Sequence, residues 1–284
     1  MKLEGKVAII TGASKGIGEC IAETFAKDGC NLTIVSRHLD EIRATAEKLK
    51  KNGVDVLPLK CDVSIPTEVK KMVEKTVARF GKIDILVNNA GIYGPLGPLT
   101  DNDLKLWKKT IDINLIGTVT CTKFVLPYMI KARKGKIINF SGGGTGGPPT
   151  PTLSAYITSK TAVVRFTEVI AEEVKDSNIQ VNSIAPGAVN TRLLDQVLTA
   201  ADKVDKKFLE KSIKQKETGG TPPEKAAQLV LFLASEDSNG ITGKLISAVW
   251  DDYQNFNKRL DKIKGTQIYT LRRIDDNFYK EVPK

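Results

Sequence analysis

Tyr156 and Lys160 lie four residues apart, about one helical turn, so on a helix they share a face. A phenol ordinarily titrates near 10, too high for efficient proton transfer at neutral pH. A neighbouring ammonium stabilises the phenolate and lowers that value. Such a pair can exchange a proton with a carbonyl or alcohol oxygen while a hydride moves at the attached carbon. Tyr-x-x-x-Lys arises by chance on many helices, so its meaning depends on its company.

A glycine-rich turn supplies the first part of that company. Thr11-Gly12-Ala13-Ser14-Lys15-Gly16-Ile17-Gly18 follows a short apolar run and precedes a helical pattern. Glycines permit a tight turn and a close backbone approach, and the helix N-terminus offers free N–H groups to a pyrophosphate. The same glycines would also suit plain packing. Between a strand and a helix, the dinucleotide reading is favoured. At the end of the next apolar run, Val35-Ser36-Arg37-His38 carries no carboxylate to accept from an adenosine ribose. Arg37 can instead hold a 2′-phosphate through paired hydrogen bonds, and Lys15 can add a second positive charge. This predicts NADP(H) as the preferred cofactor, with NAD(H) also admitted.

The elements that position these residues alternate. Strands are predicted over 7–10, 32–35, 54–59, 83–87, 136–140, 179–184 and 244–249. Helices are predicted over 19–27, 39–51, 66–80, 154–175 and 223–233, with one long helix or two in succession over 101–131. Apolar strands separated by helices imply an α/β fold, a doubly wound, Rossmann-like parallel sheet of about seven strands covered on both faces. The Gly/Pro-rich stretch 142–151 falls between a strand and a helix and reads as a site loop.

Taken in order, the glycine turn, Asp62-Val63, Asn88-Asn89-Ala90-Gly91, Asn114, Tyr156 with Lys160, and Pro186-Gly187 resemble the short-chain dehydrogenase/reductase family over roughly residues 4–250. The resemblance implies a role for each position. Gly12, Ser14, Gly16, Ile17 and Gly18 would line the cofactor phosphates, with Ser36 and Arg37 at the adenosine 2′-phosphate. Asp62 and Val63 would border the adenine, and Asn88, Ala90 and Gly91 the ribose. Pro186, Gly187, Val189 and Thr191 would contact the nicotinamide end. Tyr156 would be the general acid/base, Lys160 would bind the nicotinamide ribose and tune Tyr156, and Asn114 would help hold a proton-relay water. Family members are typically dimers or tetramers built on the two long helices, so a homo-oligomer is expected.

The chain departs from the family's pattern at the fifth strand. The family's second Ser there polarises the substrate oxygen. Aligned on Asn139 it falls on Gly142, and aligned on Tyr156 it falls on Gly143. Ser141 is the candidate for that role, with Thr145 or a backbone N–H as substitutes. Ile157 also stands where the family favours a small residue. Residues 1–250 read as one dinucleotide-binding domain with a substrate lid near 188–221. Residues 251–284 form an extension too apolar for a plain tail, either a packed surface extension or a lid or subunit arm.

Composition bounds the rest. Net charge is +10 over 284 residues, with 43 basic and 33 acidic side chains interleaved and no dense basic arm. Nucleic acid is therefore not an expected partner. A small-molecule carbonyl or alcohol substrate is expected, and the lysines of the lid suit an anionic one. No run of 18 apolar residues occurs, so no membrane span is expected. Four dispersed cysteines and one His argue against a metal site and for a reduced, cytoplasmic setting. A 3-oxoacyl-thioester reductase and a sugar or polyol dehydrogenase both remain open. So does a cofactor-binding regulator or scaffold with little catalysis.

Overall fold

The computed structural model describes residues 1–273. Seven parallel strands form one sheet in the order β3-β2-β1-β4-β5-β6-β7. They are β1 (Val7–Thr11), β2 (Asn31–Ser36), β3 (Val56–Lys60), β4 (Ile85–Asn88), β5 (Gly135–Phe140), β6 (Ile179–Ala185) and β7 (Leu245–Ser247). The register is set by buried β-branched residues facing both layers, for example Ile10 paired with Ile34 and Val87.

Alternation along β1 divides the core. Ala8 and Ile10 pack with α1 (Gly16–Lys27), α2 (Leu39–Lys50) and α9 (Pro223–Ala234). Ile9 faces the other layer, made by α3 (Pro66–Phe80), α5 (Gly117–Ala132) and α6 (Ser154–Glu173). The sheet therefore needs apolar side chains on both faces, which explains its predominantly apolar strands. The remaining helices are α4 (Leu104–Ile111), α7 (Arg192–Thr199), α8 (Lys206–Thr218) and α10 (Leu260–Ile263).

The 101–131 segment takes a third form. It becomes α4 and α5 joined without a break by a π turn, Asp112–Ile116. The run Leu104–Ala132 has 29 residues and a mean hydropathy of 1.3 in its most apolar window, enough to cross a membrane by length and composition. Half of that window is buried in the fold. A half-buried helix of this kind is what the core of an α/β fold contains, and the run does not by itself indicate a membrane span. The 188–221 segment, expected as a lid, holds two helices, α7 capped by Thr191 and α8 capped by Asp205.

The extension packs onto the body. Phe256 and Ile263 are fully buried and Tyr253 nearly so, in the layer of α9. Lys244 Nζ donates to the carbonyls of Thr266 at 2.7 Å and Ile268 at 3.0 Å, and Leu245 N donates to Tyr269 O at 2.7 Å. Glu168 of α6 accepts from Leu271 N at 2.6 Å. Ile274 and Phe278, also noted as apolar, lie outside the described residues.

Candidate active site

The C-terminal ends of β1, β2, β3 and β4 open onto one groove of about 610 Å³. Strand order reverses between β1 and β4, the place where open α/β sheets leave a crevice. The wall includes Gly12, Ser14, Lys15, Gly16, Ile17, Gly18, Ser36, Arg37, Asp62, Val63, Ala90, Gly91 and Thr191. Gly12 and Gly16 adopt φ of 66° and 60°, which favours glycine. A Cβ on Gly18 would stand 2.3 Å from Gly12 O, so the glycine turn and α1 are in direct contact. Lys15, the residue before α1, makes no side-chain cap, which leaves the first helical amides free for an anion. These bare amides and side-chain-free walls fit a dinucleotide pyrophosphate.

Neighbouring residues hold that wall in place. Asn89 Nδ2 donates to Thr11 O at 2.9 Å and Gly12 O at 3.1 Å. Thr11 Oγ1 accepts from the amides of Asn89 and Ala90. Asn88 does not reach the groove. Strand alternation turns it inward, where Nδ2 donates to Asn139 Oδ1 at 2.9 Å and Thr122 Oγ1 at 3.3 Å. The expected ribose contact at Asn88 is thus corrected, and the side chain that lines the groove at this corner is Asn89.

At the adenosine end, Arg37 is exposed, lines the groove and makes no ion pair among the described residues. Ser36 Oγ turns the following loop by donating to His38 O at 3.0 Å. Lys15 behaves differently from expectation, since its Nζ pairs with Glu41 Oε1 at 2.6 Å. That ammonium holds the Glu41 carboxyl below the usual carboxylate range. Asp62 Oδ1 accepts from Ser64 N and Oγ, which fixes the carboxylate at the rim.

Gly91 of the groove wall backs onto Asn114 and Lys160, which with Tyr156 do not themselves line the groove. A Cβ on Gly91 would lie 3.2 Å from Asn114 Oδ1 and 3.3 Å from Lys160 Nζ. Asn114 sits in the π turn. Its amide donates to Ile92 O and Ser159 Oγ and accepts from Ile92 N, all at 2.9 Å. Lys160 is buried and donates to Phe140 O at 2.9 Å. Burial lowers its pKa to about 8. Tyr156 packs edge-on against Tyr93, with ring centroids 4.6 Å apart. Burial pushes the Tyr156 phenol above its ordinary value. Lys160 was expected to lower it. Desolvation dominates because the ammonium is turned to the Phe140 carbonyl.

The fifth-strand departure has a geometric counterpart. A Cβ on residue 142 would come within 2.4 Å of Tyr156 Oη, so the phenol occupies space that a serine side chain would need. Ser141 is buried and its hydroxyl donates to Thr145 Oγ1 at 3.1 Å; Thr145 in turn donates to Gly142 O at 2.9 Å. It is Gly142, not the Ser141 hydroxyl, that faces Tyr156. The Ser141 expectation is corrected to that extent, because a buried donor already spent on Thr145 is not presented at the site.

Farther along, Thr191 caps α7 and its methyl lies 3.4 Å from where a Gly16 Cβ would stand. Gly187 has φ of 88° and sits against Val249 and Thr221. Val189 is buried, and neither it, Pro186 nor Gly187 forms part of the groove wall. His38, Glu41, Asn190, Arg192 and Gln196 do, and sequence reading passed them over. For Glu41 the obscuring signal was its place in the first turn of α2, where acids favour the helix dipole.

The sequence matches the short chain dehydrogenase profile over residues 6–202. The chain belongs to the short-chain dehydrogenase/reductase family. It is 38% identical over 253 residues to the 3-oxoacyl-[acyl-carrier-protein] reductase of Thermotoga maritima, covering 87% of this chain and 97% of that one. It is 35% identical to dehydrogenase/reductase SDR family member 4 of Sus scrofa, covering 86% of each chain. Among solved structures, NAD+-bound xylitol dehydrogenase superposes with a TM-score of 0.80 at 30% identity, covering 87% of this chain and 98% of that one. Membership makes this protein an oxidoreductase acting on hydroxyl or carbonyl groups with a nicotinamide cofactor.

Proposed function

We propose that this short-chain dehydrogenase/reductase is an NADP(H)-preferring enzyme that interconverts a carbonyl and a secondary alcohol, with Tyr156 as the proton donor. The observation that carries this reading is the half-buried Tyr156, its phenol against Gly142, one helical turn from Lys160, which with Asn114 lies behind Gly91 of the groove wall. With its pKa raised by burial, the phenol stands protonated at neutral pH, the state needed to protonate a carbonyl oxygen. The nicotinamide, when bound, supplies the hydride to carbon.

This chain's residues do the rest. Gly12, Ser14, Gly16, Ile17 and Gly18 would cradle the pyrophosphate, and Arg37 the adenosine 2′-phosphate. Lys160 would bind the nicotinamide ribose and assist proton transfer from Tyr156. Asn114 keeps the π turn open against Ile92 and Ser159, the position for a relay water. Thr145 is more accessible than Ser141, and its hydroxyl would polarise the substrate oxygen after turning from the Gly142 carbonyl to which it donates. A 3-oxoacyl thioester is supported by the Thermotoga relative and a polyol by the xylitol dehydrogenase likeness. The exposed lysines of α8 suit a phosphate-bearing carrier on such a thioester.

The test is a carbonyl and alcohol panel run with both cofactors. Wild type turns over at least one member, and Tyr156→Phe lowers that rate by about 10²–10⁴-fold while cofactor quenching of protein fluorescence persists. A wild-type protein that binds cofactor but turns over nothing on the panel favours a regulatory role, the reading that Gly142 at the usual Ser position supports.

A further inference from the structure

The adenosine end of the groove holds two cations, but only one is unengaged. Arg37 has no ion pair among the described residues. Lys15 Nζ is 2.6 Å from Glu41 Oε1, and Ser14 Oγ donates to Glu41 Oε2 at 3.3 Å. Glu41 therefore stands on the groove wall, tied to two residues of the phosphate-binding turn.

We propose that Glu41 sets the choice between the two nicotinamide cofactors: its carboxylate competes with the adenosine 2′-phosphate for Lys15 and offers an acceptor to an unphosphorylated ribose. This rests on reading the groove as the cofactor site. A phosphate monoester carries a charge of about −1.5 to −2 near neutral pH, so bringing it to Lys15 sets it against the Glu41 carboxylate. Both partners are partly exposed, at 49% and 33%, so the pair opens easily and Lys15 can change partner. A ribose with a free 2′-hydroxyl meets no such repulsion and can donate to the carboxylate.

Other dinucleotide folds place an acid at the end of the second strand for this purpose. Here Ser36, Arg37 and His38 occupy that strand end, and the acid arrives from the first turn of α2 instead. Arg37 thus favours the phosphorylated cofactor and Glu41 opposes it, so the NADP(H) preference is narrower than Arg37 alone would make it.

The experiment titrates NADPH and NADH separately into the full chain, without substrate, and reads affinity by calorimetry. Wild type, Glu41→Gln and Arg37→Ala are compared. Glu41→Gln raises the NADPH-over-NADH affinity ratio by about tenfold. Arg37→Ala lowers it. A ratio that moves by less than about twofold in Glu41→Gln, in protein that binds both cofactors, overturns the role of Glu41 and leaves the oxidoreductase reading standing. A wild type that binds neither cofactor overturns that reading and this inference together. Thermal melting of Glu41→Gln without ligand should match wild type, because the exposed pair contributes little to folding.

Discussion

Lys160 carries its positive charge at a cost. It is 4% exposed, donates only to the Phe140 carbonyl, and its pKa falls to about 8. Below that value the folded protein holds a poorly solvated ammonium. Between about 8 and the ordinary lysine value near 10.4, the unfolded chain binds a proton that the folded chain does not. Unfolding free energy therefore rises with pH across this window. Relative to Lys160→Met, wild type should gain on the order of 3 kcal/mol from pH 8 to 10.5, read by urea unfolding at each pH. A flat difference would mean that Lys160 keeps its ordinary pKa. Gly142 belongs to the same local trade, since its missing side chain admits the Tyr156 hydroxyl.

Two elements tie distant parts of the chain together. The π turn at Asp112–Ile116 inserts Asn114 between Ile92 and Ser159, tying the helical run to the loop after β4 and to α6. The 253–271 strap runs beside β7, and Lys244 anchors it through the Thr266 and Ile268 carbonyls. Lys244 is 3% exposed, and removing its ammonium leaves two carbonyls without that donor. Lys244→Met should cost about 1–3 kcal/mol in a urea melt and speed amide exchange at Leu245 and Leu271. Unchanged exchange there would show that the apolar anchors Tyr253, Phe256 and Ile263 hold the strap alone.

For the whole molecule, the strap pairs with the start of β7 and so covers part of an otherwise open sheet edge. Exposed apolar side chains remain on the helical layer, with Tyr128 and Ile130 on α5 and Val169 on α6. We expect association of like chains through these helices. Val169→Asp should shift the sedimentation coefficient toward that of a single subunit while leaving cofactor affinity unchanged. An unchanged coefficient would take α6 out of the interface. The net charge of +10 then divides by place: Arg37, Lys15 and Lys216 line the groove, and the other α8 lysines lie on the outer surface.

The sheet was legible in the sequence because a parallel sheet buried on both faces demands mostly apolar strands, and each predicted run overlaps a strand. The glycine turn and the Tyr156/Lys160 spacing were legible because local geometry requires those residue types in that order. Other features depend on contacts across long sequence separation. Whether Asn88 or Asn89 faces the groove follows from strand register. The engagement of Lys15 by Glu41 follows from α2 packing beside α1. The direction of the Tyr156 pKa shift follows from burial outweighing a lysine turned toward Phe140. Spacing determined which chemistry this chain is equipped for. Only the tertiary structure decided which partner each charged and polar group takes, because desolvation and distance arise when separate elements pack.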